Sequence, residues 1–331
     1  MKIEIPKDAQ EPRGAGSVIV YGAGLAGLLT GNMLRSFKPT VHEAQKELPN
    51  NHSALLRFRT EKVGTACAIP FKKVRVQKAI KYGDKITSKP NIFLSNMYSQ
   101  KVIGSILSRS INDLEPVERY IAPHDLIAQM ASNCSIKYST KLTIGDVEET
   151  RNWNPCQSII STIPMPALMK IMKWKDVPEW PHKEIWTQKA RIDSPKCNVY
   201  QTIYYPDPLI PFYRISVIGD VVISEFIRKP DTAIGPHIMS ALMDDFGIKP
   251  TLIVDMKESN QKYGKIEVIN EELRKEFIFE MTSKHGIYSV GRFATWRQLL
   301  LDDVVEDIQH VERFIRARSN YVRLMHSQKG D

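Results

Sequence analysis

A run of β-branched residues that breaks into glycines constrains this chain more than any other feature. Val18, Ile19 and Val20 read as a short central parallel strand, buried on both faces. Gly22, Gly24 and Gly27 follow in a G-x-G-x-x-G pattern, with Leu25 and Ala26 between the second and third glycines. In a strand–turn–helix of this kind the first glycine permits the turn. The second lets the backbone approach a pyrophosphate, and the third lets helix and strand pack closely. The helix N-terminus then presents free N–H groups and the positive end of its dipole to that pyrophosphate. Thr40 to His42 reads as a second strand, ending at Glu43, 16 residues after Gly27. An acid there holds a ribose hydroxyl and disfavours a 2′-phosphate. The stretch predicts a dinucleotide site and leaves FAD and NAD both open.

The bulk properties narrow the class. A chain of 331 residues suffices for one large domain or two intimate ones. Its 42% hydrophobic and 25% charged residues are those of an ordinary globular protein. No apolar run approaches the ~20 residues of a membrane span. Residues 1–16 read as a polar arm without an apolar core, so a cytoplasmic protein without a signal peptide is expected. Cys67, Cys134, Cys156 and Cys197 form no C-x-x-C pair, and neither a metal site nor a redox dithiol is expected. The net charge of +9 tilts toward a phosphate-rich or nucleic-acid partner without requiring one. Nothing in the composition specifies an oligomeric state.

Along the chain, residues 45–53 are polar and turn-rich, and His52 reads as a turn residue. Arg57 and Arg59 alternate with Phe58, on one face of a strand or on a solvated edge. Residues 64–71 are small and apolar, as suits a segment passing close to a cofactor. Lys72, Lys73, Arg75, Lys78, Lys81, Lys85 and Lys89 make 72–89 the most basic stretch. A solvated face is its default reading, and a phosphate-facing patch the sharper one. Apolar spacing predicts a helix over 102–114, and another starts near Pro123. A strand is expected at 135–139 and a strand–turn–strand over 141–149. A further strand from Cys156 runs into a loop bracketed by Pro164 and Pro166, followed by a helix from Ala167. Residues 174–196, with Trp174, Trp180 and Trp186, read as a loop-rich connector. Residues 198–205, 212–218 and 221–227 are rich in β-branched and aromatic types and predict an antiparallel sheet, suited to walling a substrate chamber. Residues 235–247 look helical, 265–280 mixed, 287–291 a last strand, and Asp302 to Arg318 a long helix.

Three stretches together resemble the flavoprotein superfamily of UDP-galactopyranose mutase, protoporphyrinogen oxidase and the flavin amine oxidases. The first is the glycine fingerprint with Glu43. The second runs from Ser158 to Pro164 and is like the family strand that approaches FAD and ends in Thr-x-Pro, here with Thr162. The third runs from Gly291 to Asp303 and looks like the C-terminal FAD motif, in which a strand ends in Gly-Arg and the next helix faces the flavin. A fourth, Tyr204 to Ser216, looks like the mutase segment Asn-Tyr-x-Asp … Pro-Phe-x-Arg-Ile. Gly291-Arg-x-x-Thr-Trp-Arg likewise resembles the mutase Gly-Arg-x-x-Thr-Tyr-Arg. The chain departs from the family in four respects. The Gly-Gly pair usual after the ribose acid is replaced by residues 50–54, Asn-Asn-His-Ser-Ala. No histidine-containing flavin loop is recognisable in 50–70. The paired mutase tyrosines become Trp296 and Leu299 or Leu300. The chain is shorter than typical members and has no room for a second Rossmann domain to bind NAD(P)H.

The resemblance implies an α/β protein: a Rossmann-like FAD-binding domain, mostly parallel sheet, with an inserted, partly antiparallel-sheet substrate domain. Residues 17–70, 120–170 and 285–320 would form the first, and 71–119 and 171–284 the second. It implies non-covalent FAD held by Gly22, Gly24, Leu25, Ala26, Gly27, Glu43, Thr162, Gly291 and Arg292. The activity implied is that of an FAD-dependent oxidoreductase of amine-oxidase type, oxidising a C–H beside nitrogen on a small or nucleotide-linked substrate. Tyr204, Tyr205, Tyr213 and Trp296 would wall that substrate. The alternative is a non-redox flavin mutase on a nucleotide sugar, with Arg214 and Arg297 gripping a diphosphate. Arg214, Trp296 and Arg297 are the catalytic candidates. A third reading takes an amino-acid-modified base in DNA as substrate, which would have to be flipped out of the duplex. Asp302 and Asp303, in the first turn of the last helix, are expected to be caps.

Overall fold

The short β-branched runs and the longer aromatic ones sort into two different sheets. A computed structural model describes residues 17–48, 57–106, 110–153, 157–175, 177–194, 196–231 and 234–327. The chain opens with β1 (Val18–Tyr21), α1 (Leu25–Met33), β2 (Thr40–His42), β3 (Arg57–Phe58) and α2 (Lys62–Cys67). There follow β4 (Lys72–Tyr82), β5 (Lys85–Thr87), α3 (Ile92–Ile103), β6 (Val117–Ile121), α4 (Leu126–Ser132) and β7 (Ser135–Lys137). Next come α5 (Ile144–Trp153), β8 (Ser158–Ser161), α6 (Met165–Ile171), β9 (His182–Ile192), β10 (Tyr200–Tyr204), β11 (Phe212–Ile218) and β12 (Val221–Phe226). The chain ends with α7 (Ile234–Phe246), β13 (Ile253–Ile266), α8 (Glu271–His285), β14 (Ile287–Ser289) and α9 (Leu301–Ser327).

The first sheet has the order β14-β8-β1-β2-β7, and every pair in it is parallel. Parallel strands need crossovers, and the crossovers put helices on both faces. On one side Val18, Val20 and Ile160 pack with Leu28 and Leu29 of α1 and with Val304, Ile308 and Ile315 of α9. On the other, Ile159 and Ile287 pack with Leu168 and Met169 of α6 and Phe277 and Met281 of α8. This is the doubly wound architecture expected from the glycine fingerprint.

The second sheet runs β13-β9-β12-β11-β10-β4-β6-β3, with β5 on β4. Its only parallel pair among the described residues is β10 with β4. Side chains alternate along each strand. Ile203, Ile215, Val217, Val222 and Phe226 therefore share one face and bury against Ile238 and Leu242 of α7. The opposite face is divided. Part of it, with Ile80, Tyr204 and Tyr213, lies under Tyr98 and Val102 of α3. The remainder carries Thr202, Arg214, Ser216 and Glu225, which are hydrogen-bonded to one another in pairs. The sheet is thus mixed and polar-faced, consistent with the partly antiparallel second unit expected from the sequence.

Several local expectations are corrected. The helix predicted over 102–114 lies instead at Ile92–Ile103. Asn91 caps its start through Leu94 N–H at 3.0 Å, and Gly104 ends it at φ +83°. Capping outweighs the apolar spacing that continues to Ile111 and Leu114, both buried beyond the stop. The strand–turn–strand expected over 141–149 gives way to α5. Thr143 and Asp146 form a capping box there: the Asp146 carboxylate accepts from Thr143 N–H and the Thr143 hydroxyl, each at 2.7 Å. The connector at 174–196 contains the eleven-residue strand β9, whose register pairs Trp186 with Phe226. Residues 265–280 resolve into the end of β13 and α8, which Asn270 caps. The arm 1–16, His52 and Cys156 lie outside the described residues. No helix among the described residues is long and apolar enough to cross a membrane.

Candidate functional site

Glycines shape the loop after β1. Gly22 has φ +101°, and a Cβ there would stand 2.5 Å from the Thr162 hydroxyl oxygen. A Cβ on Gly27 would stand 1.8 Å from the carbonyl oxygen of Gly22, so α1 approaches the strand only because it has none. Gly24 is different, since a Cβ there meets nothing within 4 Å. It is the N-cap of α1, with no side-chain cap and no acid in the first turn. The helix start is therefore an uncapped donor set beside open space.

Three further predicted residues, Glu43, Thr162 and Gly291, gather around this loop, and a fourth, Arg292, follows Gly291 and reaches the Gly264 carbonyl from Nη2 at 3.5 Å. The Glu43 carboxylate, 7% exposed, accepts Ala23 N–H at 2.8 Å and Gln45 N–H at 3.0 Å. The Thr162 hydroxyl reaches the carbonyls of Tyr21 and Gly22 at 3.0 and 3.1 Å. Gly291 has φ +95°, and its notional Cβ would lie 2.7 Å from Ala26 Cβ, so the turn after β14 abuts the start of α1. Arg292 is largely enclosed: burial lowers its pKa, and its buried Nε has no partner among the described residues. The hydroxyls of Ser161 and Ser289, at the carboxyl ends of β8 and β14, are likewise unpartnered. The carboxyl ends of a parallel sheet are where such folds bind ligands.

The polar face of the second sheet carries a cluster of charged and hydroxyl side chains. Arg214 grips Glu225 through Nε and, at 2.6 Å, through Nη2, and Tyr213 donates its hydroxyl to the same carboxylate at 3.0 Å. Burial works against both charges. Their mutual attraction overcomes it, holding Arg214 well above and Glu225 below their ordinary values. Arg57 donates to the Thr202 hydroxyl at 2.8 Å, and Thr202 lies 2.9 Å from Ser216. Burial, then Arg214, brings the Arg57 pKa down to about 10, which leaves it cationic at neutral pH. Arg119 and Lys78 are also lowered, first by burial and next by a neighbouring cation, Arg59 for Arg119 and Arg119 for Lys78. The sequence marked Arg57 and Arg59 but missed Arg119. The signal was present in the even spacing that sets Arg119 between Val117 and Ile121 on one face of a strand.

The remaining candidates have structural neighbours. Arg297 pairs with Asp307 of α9 and donates from Nε to the Thr295 hydroxyl at 3.3 Å. Trp296 is 4% exposed and left-handed at φ +47°, rare for a bulky residue. Its indole N–H donates to the Glu267 carbonyl at 3.0 Å, and its ring centroid lies 4.6 Å from that of Trp180. Tyr205 faces α7, where its hydroxyl donates to Asp245 at 2.8 Å. In the basic stretch, Lys72 binds Asn198 and Tyr200, Lys73 pairs with Glu118, and Lys81 pairs with Asp245. Asp303 caps α9 by accepting Leu300 N–H at 2.8 Å. Asp302 does not cap it: its carboxylate accepts the N–H groups of Arg59 and Thr60 and the Thr60 hydroxyl, at 3.2, 2.9 and 2.6 Å. A cavity of about 970 Å³ lined by Phe93, Lys101, Leu209 and His237 contains none of these candidates.

No protein-family model matches the chain, and no curated protein matches it by sequence. Solved structures do match its fold. Reduced UDP-galactopyranose mutase aligns over 90% of this chain and 96% of its own, with a TM-score of 0.64 at 13% identity. An oxidoreductase from Methanosarcina mazei aligns over 90% of this chain and 100% of its own, at TM-score 0.54 and 11% identity. Aklavinone-11 hydroxylase, solved with FAD and aklavinone, aligns over 93% of this chain and 63% of its own, at TM-score 0.51 and 11% identity. The chain therefore shares the fold of these solved structures, reduced UDP-galactopyranose mutase among them.

Proposed function

We propose that this chain is an FAD-dependent oxidoreductase of amine-oxidase type, with the cofactor bound non-covalently. The observation that carries the cofactor reading is the open space at Gly24, beside the uncapped start of α1 and the Glu43 carboxylate, which accepts Ala23 N–H. Donors at a helix start suit a pyrophosphate. Each Glu43 oxygen already accepts one N–H and keeps a lone pair for a ribose hydroxyl. Thr162 and Gly291 shape the passage, and Arg292 supplies charge beside the phosphates. In this reading residues 17–70, 120–170 and 285–320 hold the cofactor, and 71–119 and 171–284 hold the substrate.

Bound FAD would supply a hydride acceptor for a carbon beside nitrogen. The protein orients that carbon and excludes water. Arg214, fixed by Glu225, lines the polar sheet face toward a small or nucleotide-linked substrate. Trp296 and Arg297 act as positioning residues, fastening the turn after Gly291 to Glu267 and to α9. The first test is the visible spectrum of the purified protein, followed by acid precipitation. Flavin in the supernatant supports the reading; colour retained in the pellet overturns the non-covalent link, and a colourless protein that takes up no FAD overturns the cofactor.

A non-redox mutase on a nucleotide sugar is the second reading, favoured by the alignment with reduced UDP-galactopyranose mutase. The two separate cleanly. An oxidase bleaches its flavin with an amine substrate and regains colour in air, whereas a mutase turns over only after chemical reduction. A nucleic-acid substrate draws less support, because Lys72, Lys73 and Lys81 of the basic stretch are already engaged.

A further inference from the structure

We infer that the polar face of the second sheet is a phosphate site, in which Arg57, Lys78 and Arg119 hold a phosphate or diphosphate of the substrate. This rests on the reading above only in taking that face as the substrate chamber. It moves the anion away from Arg214 and Arg297, whose charges are matched by Glu225 and Asp307.

The curl of the sheet makes the site. β3 and β10 are three steps apart in the strand order β10-β4-β6-β3. In a flat sheet three spacings would separate them by about 14 Å, farther than an arginine side chain extends. Yet Arg57 of β3 donates to Thr202 of β10 at 2.8 Å. The strands must therefore bend until β3 overlies the polar face, and a cleft forms between them. Lys78 stands beside Thr202 in the β4–β10 register, and Arg119 stands opposite Val74 in the β4–β6 register. Lys78 and Val74 lie an even number of residues apart, so Lys78 and Arg119 share one face.

The charges in this cleft do not balance. Arg57 is acted on by the cations Arg214 and Arg119 and, in the opposite sense, by Glu225; Lys78 is acted on by Arg119 and Arg57, and Arg119 by Arg59 against Asp302. Among the described residues no carboxylate lies within ion-pair distance of Arg57, Lys78 or Arg119. Asp113 and Glu115 act on Lys78 only from farther away, and its Nζ reaches the Asp113 carbonyl at 3.5 Å. The nearer acids are committed: Glu225 to Arg214 and Tyr213, Asp302 to the backbone of Arg59 and Thr60, and Glu118 to Lys73. All three cations are partly buried, so water screens their repulsion incompletely. A multiply charged anion relieves it, and two guanidinium forks match phosphate oxygens in pairs.

The test uses the FAD-loaded protein titrated with inorganic pyrophosphate at low salt, followed by calorimetry and by the flavin absorption band. Wild type should bind, and Lys78→Ala and Arg119→Ala should each weaken binding at least tenfold with FAD content unchanged. Lys78→Arg should keep binding near wild type, which separates lost charge from lost packing. Absence of pyrophosphate binding by the wild type, or equal binding by the alanine variants, overturns the inference. Loss of FAD from the alanine variants also overturns it, since the cations would then serve the cofactor's own pyrophosphate. A protein that takes up no FAD, yet binds pyrophosphate in a Lys78- and Arg119-dependent way, refutes the flavin reading and leaves the anion site standing.

Discussion

Asp302 and Asp303 are adjacent in sequence and expected to act alike, but the structure gives them different work, and stability measurements should separate them. Asp303 accepts one N–H, that of Leu300, at an exposed helix start. Its replacement by alanine should cost ~1 kcal/mol, the usual loss for a cap. Asp302 is 6% exposed and ties α9 to the segment after β3 with three hydrogen bonds across more than 240 residues of chain. Hydrogen bonds to a charged group contribute roughly 1.5–3 kcal/mol each. Two of the three come from Thr60, and the freed donors regain some water, so Asp302→Ala should cost about 3 kcal/mol, near the lower bound of two such bonds. Urea unfolding reads this as a fall in midpoint of about 1 M, for a slope near 3 kcal/mol/M, against about a third of that for Asp303→Ala. Asp302→Asn keeps an acceptor but loses the charge and should fall between. Thr60→Val combined with Asp302→Ala should be less than additive, because they remove the same contacts. Equal midpoint shifts for the two alanine variants would refute the tether.

Other expectations follow from the same contacts. Gly24→Val should fold, since its side chain enters open space, but lose flavin. Gly27→Ala should lower the melting temperature of the apoprotein itself, because its Cβ collides with the Gly22 carbonyl. Absorbance of the purified variants and a thermal melt check both. Glu225→Gln leaves Arg214 buried without its counter-charge and should cost about 3–5 kcal/mol in urea unfolding at neutral pH. Because the folded-state pKa of Glu225 is depressed, its contribution is present above the unfolded carboxylate value and is lost as pH falls through the folded one. The wild type should therefore lose stability on acidification more steeply than Glu225→Gln, and parallel curves would argue against the pairing. Burial pushes Cys67 and Cys134 up to about 12 and 11 from an ordinary 9.0. Their folded values are raised, so the stability they contribute is present below pH 9 and is lost as pH rises from there toward the folded values. Both thiols should resist alkylation in the native protein and react on unfolding; rapid native labelling at either would contradict their burial.

The parallel sheet and the glycine loop were legible because their information is local. Gly22, Gly24 and Gly27 report backbone conformation and close approach, and these depend on a few neighbouring atoms. The β-branched strands β1 and β8 advertise burial on both faces in the same way. Helix limits were less legible where two local signals competed. Apolar spacing ran on through Ile111 and Leu114, while Gly104 had already ended α3. At Thr143 the capping box, read correctly, would have found α5. The connector holding β9 was masked by its tryptophans and prolines, and its strand is stabilised chiefly by the neighbours it meets, β12 and β13.

The sequence alone was sufficient for the fold class and for the tight glycine turn after β1, since short-range sterics decide both. It could not assign the charges. Arg214, Arg297 and Arg57 look equivalent along the chain, yet the first two meet Glu225 and Asp307 while Arg57 meets Thr202 and two other cations. Which arginine is paired with a carboxylate and which is not depends on the curl of the second sheet and the docking of α9. Those are sums over many distant contacts, and electrostatic energy varies with separation and burial in space rather than with position along the chain.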